Sequence, residues 1–296
     1  MATSADRVVV VTGAGGRLGT RLAFRLAAEG AQQRLILPDV RRAPHLTDGR
    51  PLPNASVVVC PDGAAPDVLT ATFAGADTVL LVPARTDPVR PLQAAIAADV
   101  RRVVLVSEVG ASPNAVSRRA RDAWRAERRL RSSGLQWTVL RSSVPHSRLT
   151  DAVVDDVLRA PAGTGRVASV SHDDVADAAT AVLLDERVHL HDQAVYDLTG
   201  PEALSGDDVA RVLTEAVGRP ITYEPSPAAD PDPDAGPFHG RPDDPSDDPW
   251  TSCCAAVAAG VFEKVSATVE SLAARPARSL ATWLDDYPAE WAHLRG

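Results

Sequence analysis

The chain has 296 residues, 45% of them hydrophobic, enough for one large α/β domain or for an α/β domain with a smaller cap. A formal net charge of −8 gives a nucleic-acid role no electrostatic support, and no apolar run approaches the roughly 20 residues of a membrane helix. Cys60, Cys253 and Cys254 have no framework spacing, and residues 1–7 are short and polar, so the expectation is a reduced cytoplasmic protein without signal peptide or metal site.

Val8-Val9-Val10-Val11 has no helical period and reads as a strand buried on both faces of a parallel sheet. Thr12-Gly13-Ala14-Gly15-Gly16-Arg17-Leu18-Gly19 follows at once, and Leu22, Phe24, Leu26 and Ala27 then mark a helix over 20–29. Strand, glycine turn and helix form the context a dinucleotide site requires. Gly13 permits the tight turn, Gly16 admits a pyrophosphate to the backbone, and Gly19 brings the helix close to the strand. Gly13, Gly15, Gly16, Arg17 and Leu18 are therefore candidate cofactor contacts, the N–H groups of the helix start facing the phosphates.

The second strand, 34–37, ends at Pro38-Asp39. An acid there can accept from an adenosine ribose hydroxyl, which suits NADH. Arg41-Arg42 comes next, and Arg41 can receive the 2′-phosphate of NADPH. NADPH is favoured and NADH stays open. After a loop over 43–54 come a strand at 56–60 followed by Asp62, a helix at 68–73, a strand at 78–82, a helix at 91–98 and a strand at 102–107 ending on Ser107. A long helix is expected over 116–133. Val116, Ala120, Ala123 and Leu130 form its apolar face, at intervals of four, three and seven, and seven arginines cover much of the remainder. Gly134 ends it, and 136–140 is the sixth strand. The alternation predicts an α/β fold, a Rossmann-type doubly wound parallel sheet.

Past Arg141 the rhythm changes. The expected order is a loop over 142–147, a helix over 149–158, a short strand at 166–170, a helix from His172 to Leu184, a strand at 194–198, a helix over 207–217 capped by Ser205 and closed by Gly218, and a strand at 220–223. Residues 225–249 are mainly Asp, Pro, Gly and Ser, and read as a surface insertion or a lid. The tail over 250–291 reads as mostly helical. This divides the chain into an NAD(P)-binding domain, 1–141, and a smaller α/β substrate-binding part, 142–296.

The ordered set Thr12-Gly13-x-x-Gly16-x-x-Gly19, Phe73-Ala74-Gly75-Ala76-Asp77, Arg102-Val103-Val104-Leu105-Val106-Ser107, Ser133-Gly134-Leu135-Gln136-Trp137-Thr138-Val139-Leu140-Arg141, Asp173-Asp174-Val175-Ala176 and Leu198-Thr199-Gly200-Pro201-Glu202-Ala203-Leu204-Ser205 resembles the NmrA-like atypical short-chain dehydrogenases/reductases over about residues 7–224. The resemblance implies a bound nicotinamide cofactor. It places Asp62 beside the adenine, and Val82, Pro83, Ala84 and Ser107 along the cofactor cleft.

One departure bears on the chemistry. Short-chain reductases usually carry Tyr-x-x-x-Lys on the helix after the fifth strand. Here the only tyrosines are Tyr196, Tyr223 and Tyr287 and the only lysine is Lys264, with Gly260 four residues before it. Arg121 and Arg125 hold that spacing instead, and arginine is a poor proton donor. Candidate acids for a reductase are Ser107, Ser112 and His146, the last expected at the pocket mouth, or an acidic hydroxyl of the substrate itself. The substrate expected from similarity to polyketide-tailoring ketoreductases is a polycyclic aromatic ketone or a quinone. Two other functions stay open: a non-catalytic NAD(P)-binding redox sensor acting through a protein partner, and redox-neutral isomerase or lyase chemistry. The oligomeric state is not readable.

Overall fold

The computed structural model describes residues 7–82, 89–225 and 249–295. Its main sheet contains β1 (Val8–Val11), β2 (Gln32–Leu37), β3 (Ala55–Val59), β4 (Thr78–Leu81), β5 (Arg102–Glu108), β6 (Gln136–Ser142) and β7 (Ala194–Leu198), in the spatial order β7-β6-β5-β4-β1-β2-β3. β1 pairs parallel with β2 and β4, β2 with β3, and β4 with β5. The order reverses at β1, which makes the carboxyl end of β1 a switch point of a Rossmann-type sheet. Connecting helices are α1 (Arg17–Ala28), α2 (Pro66–Phe73), α3 (Val89–Ala97) and α4 (Arg118–Arg131). Val10, Ile36, Phe73, Val79, Leu92, Val103, Leu130 and Val139 belong to one core cluster, so the central apolar strands β1, β4 and β5 are buried as their composition requires, while Val57 and Val59 on the edge strand β3 are exposed.

Two compact units result, built from interleaved segments. The first comprises Met1–Ser107, Asp122–Arg141 and Val175–Tyr196; the second comprises Glu108–Arg121, Ser142–Asp174 and Asp197–Gly296. The division therefore passes through residue 141 but also exchanges 108–121 and 175–196 between the halves. The second unit includes α5 (His146–Asp151), α7 (Gly206–Val217), α8 (Pro249–Ala258), α9 (Thr268–Ala273) and α10 (Leu280–Asp286), while α6 (His172–Leu184) begins in it and continues in the first. Leu149, Leu158, Val209, Leu213, Phe262, Trp283 and Trp291 form its separate core. α7 starts at a Ser205–Asp208 capping box and stops at Gly218, in the left-handed region at φ 79°, as expected from the sequence.

Three expectations are corrected. The helix over 149–158 does not form: α5 ends at Asp151, and Val153–Val154 pairs antiparallel with Val157–Arg159. Asp155 and Asp156 make the connecting two-residue turn, both at positive φ, 52° and 59°. Such a turn matches the strand twist, and aspartate tolerates the left-handed region better than most residues. The strand at 166–170 shortens to Arg166–Val167, paired with Leu204–Ser205. Val116 lies outside α4 and is 45% exposed, so it is not part of that helix's buried face. The possible lid at 225–249 falls, apart from its two ends, outside the described residues. Among the described residues no helix is long and apolar enough to cross a membrane, and no three His, Cys, Asp or Glu side chains gather to hold a metal ion.

Candidate functional site

The parallel strands β1 to β5 bring Thr12-Gly13, Asp39, Asp62, Val82 and Ser107 to the carboxyl edge of one sheet. The glycine turn is held from both sides. Thr12 N–H donates to the Leu80 carbonyl (3.1 Å), Ala14 N–H to the Ile36 carbonyl (3.2 Å), and the Thr12 hydroxyl oxygen accepts from Val82 N–H (3.0 Å). Gly13 is at φ +61°, where a side chain is strained. A Cβ at Gly19 would lie 2.1 Å from the Gly13 carbonyl oxygen, so that glycine is required by the close approach of α1 to the turn. Gly16 differs: a Cβ there would meet only the Gly13 oxygen, at 3.3 Å. The space beside it is otherwise open, and its own N–H donates to the Gly13 carbonyl (3.0 Å). An open backbone at the start of a 12-residue helix is the kind of surface a pyrophosphate requires. Gly15 has another neighbour: its Cβ would come within 2.8 Å of the Arg42 Cβ.

Asp39 and Arg41, read separately in the sequence, are engaged with each other. The Asp39 carboxylate accepts from Arg41 N–H (2.9 Å) and from its guanidinium (2.6 Å to Nη2), which holds the carboxyl below its usual range. Arg41 is largely in solvent. Arg42 is the arginine that packs across the glycine turn, its Nη2 donating to the Gly15 carbonyl at 3.4 Å. Asp62 is exposed three residues beyond β3. Val82 packs against Gly13, 3.6 Å from its Cβ position. Pro83 and Ala84 lie outside the described residues.

Ser107 ends the apolar run of β5 and is 6% exposed. Its hydroxyl donates to Glu127 Oε1 at 2.6 Å. Glu127, on α4, is completely buried. Arg141, at the end of β6, clamps it with Nε on Oε1 (2.9 Å) and Nη2 on Oε2 (2.7 Å), and Arg131 Nη2 adds a contact at 2.8 Å. Glu127 is a residue the sequence reading missed. The apolar face expected for this helix is Val116, Ala120, Ala123 and Leu130, and the seven-residue step from 123 to 130 passes over an acid on the same helical stripe. That skipped position is the available signal.

His146 is not at a pocket mouth. It is 1% exposed, with Nδ1 2.9 Å from Ser169 Oγ and Nε2 3.2 Å from the Arg278 carbonyl. The carbonyl can only accept, so Nε2 carries the hydrogen and Nδ1 accepts from the serine. Burial lowers the pKa to about 4, leaving the ring neutral at pH 7. Trp283 lies 5.7 Å away, centroid to centroid. Ser112 is half-buried in the loop before α4, and its carbonyl accepts from Ala115 N–H.

The fold and the glycine turn define a nicotinamide-dinucleotide-binding protein. The chain belongs to the NAD(P)H-binding family, matched over residues 13–186. It is 29% identical over 301 residues to the (4-alkanoyl-5-oxo-2,5-dihydrofuran-3-yl)methyl phosphate reductase of Streptomyces griseus, covering 96% of this chain and 99% of that protein. Among solved structures it superposes on an NADPH-dependent quinone oxidoreductase from Escherichia coli in complex with NADPH, with TM-score 0.77 and 24% identity over 97% and 100% of the two chains. NmrA, a negative transcriptional regulator in complex with NADP, gives TM-score 0.75 and 17% identity over 98% of each chain. The resemblance to the NmrA-like group thus extends to the fold, and the cofactor is NAD(P)H.

Proposed function

We propose that this chain is an NAD(P)H-dependent reductase of small conjugated acceptors, molecules whose hydride adduct is a delocalised anion. Quinones belong to this class, as do lactones or ring ketones conjugated to a second carbonyl; aromatic polyketide ketones join it where a neighbouring phenol passes its proton to the new alkoxide and is left as a phenolate. One observation carries the proposal: two of the three side chains that would replace the missing tyrosine and lysine, Ser107 and His146, are engaged elsewhere. The Ser107 hydroxyl donates to Glu127, and His146 is neutral and enclosed.

Substrates differ in the strength of acid their reduction needs. Hydride addition to an isolated ketone yields an alkoxide, which requires a strong, positioned donor. Addition to a quinone yields a phenolate. Addition to the ring double bond of a 4-alkanoyl-5-oxo-2,5-dihydrofuran, the class named for the S. griseus relative, yields an enolate shared with two carbonyls. These anions take a proton from water or from the substrate's own hydroxyl, so a chain without Tyr-x-x-x-Lys can reduce them. The reduced nicotinamide supplies the hydride when bound. The residues of this chain bind and orient it: Gly13, Gly16, Arg17 and Leu18 at the pyrophosphate, Asp62 and Val82 along the sheet edge, and Ser107 towards the nicotinamide half. Asp39 and Arg41, paired with each other, stand at the adenosine ribose, and Arg42 is placed for a 2′-phosphate. The second unit would carry substrate specificity.

The test is NADPH consumption across a panel: a simple quinone, an alkanoyl-furanone phosphate, a polycyclic aromatic ketone with a free neighbouring phenol, its methyl ether, and an unconjugated aliphatic ketone. Turnover of at least one of the first three, with the aliphatic ketone inert and the methyl ether suppressed relative to its phenol, is expected. Equal rates on the aliphatic ketone would overturn the proposal. NADPH binding with no turnover of any member would move the chain to the redox-sensor class.

A further inference from the structure

We infer that Ser107 is a hydrogen-bond acceptor for the nicotinamide riboside half of the cofactor, and that the buried Glu127 is the positioning residue that makes it one. The inference rests on the cofactor lying along the carboxyl edge of β1 to β5, and it assigns Ser107 a role opposite to proton donation.

A serine hydroxyl has one hydrogen and two lone pairs. At Ser107 the hydrogen points to Glu127 Oε1, 2.6 Å away. Both carboxylate oxygens also accept guanidinium N–H groups, from Arg141 at 2.9 and 2.7 Å and from Arg131 at 2.8 Å. Glu127 is therefore surrounded by donors and has no hydrogen to return to the serine. Rotating the Ser107 hydrogen away would remove one partner of a completely buried carboxylate, a group whose unmade hydrogen bonds are costly. Ser107 consequently presents lone pairs alone at the end of β5. The nicotinamide riboside offers two kinds of donor to such an oxygen, the carboxamide N–H₂ and the ribose hydroxyls. A substrate carbonyl, an acceptor itself, gains nothing from it. The clamp from three elements fixes the geometry: β5 supplies Ser107, α4 supplies Glu127 and Arg131, and β6 supplies Arg141.

The test is calorimetric binding of NADP⁺ and of its 3-acetylpyridine analogue, which lacks the carboxamide N–H₂. The wild-type chain should bind NADP⁺; if it does not, the cofactor assignment fails rather than this inference. Ser107→Ala is expected to weaken NADP⁺ about fivefold, the worth of one hydrogen bond. If the carboxamide is the donor, the analogue's affinity stays as in the wild type; if a ribose hydroxyl is the donor, both ligands weaken alike. Unchanged affinity for both ligands would overturn the acceptor role. Glu127→Gln supplies an N–H₂ in place of an acceptor and turns the serine round, so it should reproduce the loss with Ser107 present. The double variant should then lose no more than either single one, and additive losses would overturn the positioning role. Ser107→Thr, which keeps the hydroxyl, should retain affinity within about twofold, so the acceptor role stays testable even if Glu127→Gln does not fold.

Discussion

Each unit of the molecule buries a carboxylate against two arginines, and the two clusters differ in what else the carboxylate holds. In the first unit Glu127 accepts from Arg131, Arg141 and the Ser107 hydroxyl. In the second, Asp174 at the start of α6 meets Arg275 and Arg278 at 2.7 Å and accepts from the backbone N–H of Arg278 (2.9 Å). Both acids are fully buried. The Asp174 cluster is enclosed: its third ligand is main chain, and it ties the segment before α10 to α6. The same segment gives the Arg278 carbonyl to His146. The Glu127 cluster ends instead on a hydroxyl at the carboxyl edge of the sheet. Similar ion pairs thus serve as a tether in one unit and, in our proposal, as a means of fixing a hydroxyl's polarity in the other.

The comparison can be broken most sharply at the carboxylates. Removing one partner of a buried ion pair is strongly destabilising, by about 3–5 kcal/mol. Arg275, Arg278, Arg131 and Arg141 keep 20–36% of their side-chain surface exposed, and solvent screening of these partners moves the expectation to just below that range. Asp174→Ala and Glu127→Ala should each lose about 2–3 kcal/mol in urea unfolding. At a temperature where both remain folded, only Glu127→Ala should also weaken NADP⁺. An equal effect of both on cofactor affinity would erase the distinction.

A second prediction sharpens the enclosed character of the second unit. The His146 pKa is depressed from 6.5 to about 4, so the stability its neutral ring contributes is complete above pH 6.5 and is lost as the pH falls towards 4. The shift corresponds to roughly 3 kcal/mol. His146→Gln can keep one donor and one acceptor but does not titrate. Its unfolding free energy should therefore fall less than that of the wild type between pH 7 and pH 4.5. Parallel pH profiles would show that the ring is open to solvent. The smallest expected effect lies on the surface: Arg42→Ala should weaken NADPH about tenfold and leave NADH nearly unchanged, while Arg41→Ala should matter less because its guanidinium is held by Asp39.

The two regions also differ in how far they could be read from sequence. The glycine turn was legible because its signals are local: Val8–Val11, the glycine spacing and the helix follow one another in the chain. Even there, the partners of Gly15 and Asp39 depended on how the 40–42 turn folds back. Glu127 was hidden because a charged residue on a buried stripe looks like an interruption until Ser107 and Arg141, 20 and 14 residues away, are placed beside it. His146 looked accessible because it lies in the stretch, 142–147, that reads as a loop after the sixth strand. The residues that enclose it, Arg278 and Trp283, come from more than 130 residues later. The 149–158 segment has apolar residues at helical spacing, and only the Asp155-Asp156 turn reveals that they alternate across a hairpin.

The central claim is that the open backbone at Gly16, at the carboxyl end of β1, holds the cofactor pyrophosphate. Calorimetric titration of NADPH into Gly16→Val tests it most directly, because the side chain would fill the open space at the helix start, where a Cβ meets only the Gly13 oxygen, at a tight 3.3 Å. The account predicts an affinity loss of at least about a hundredfold with a melting temperature close to that of the wild type. Wild-type affinity in that variant would contradict it and place the cofactor elsewhere on the chain.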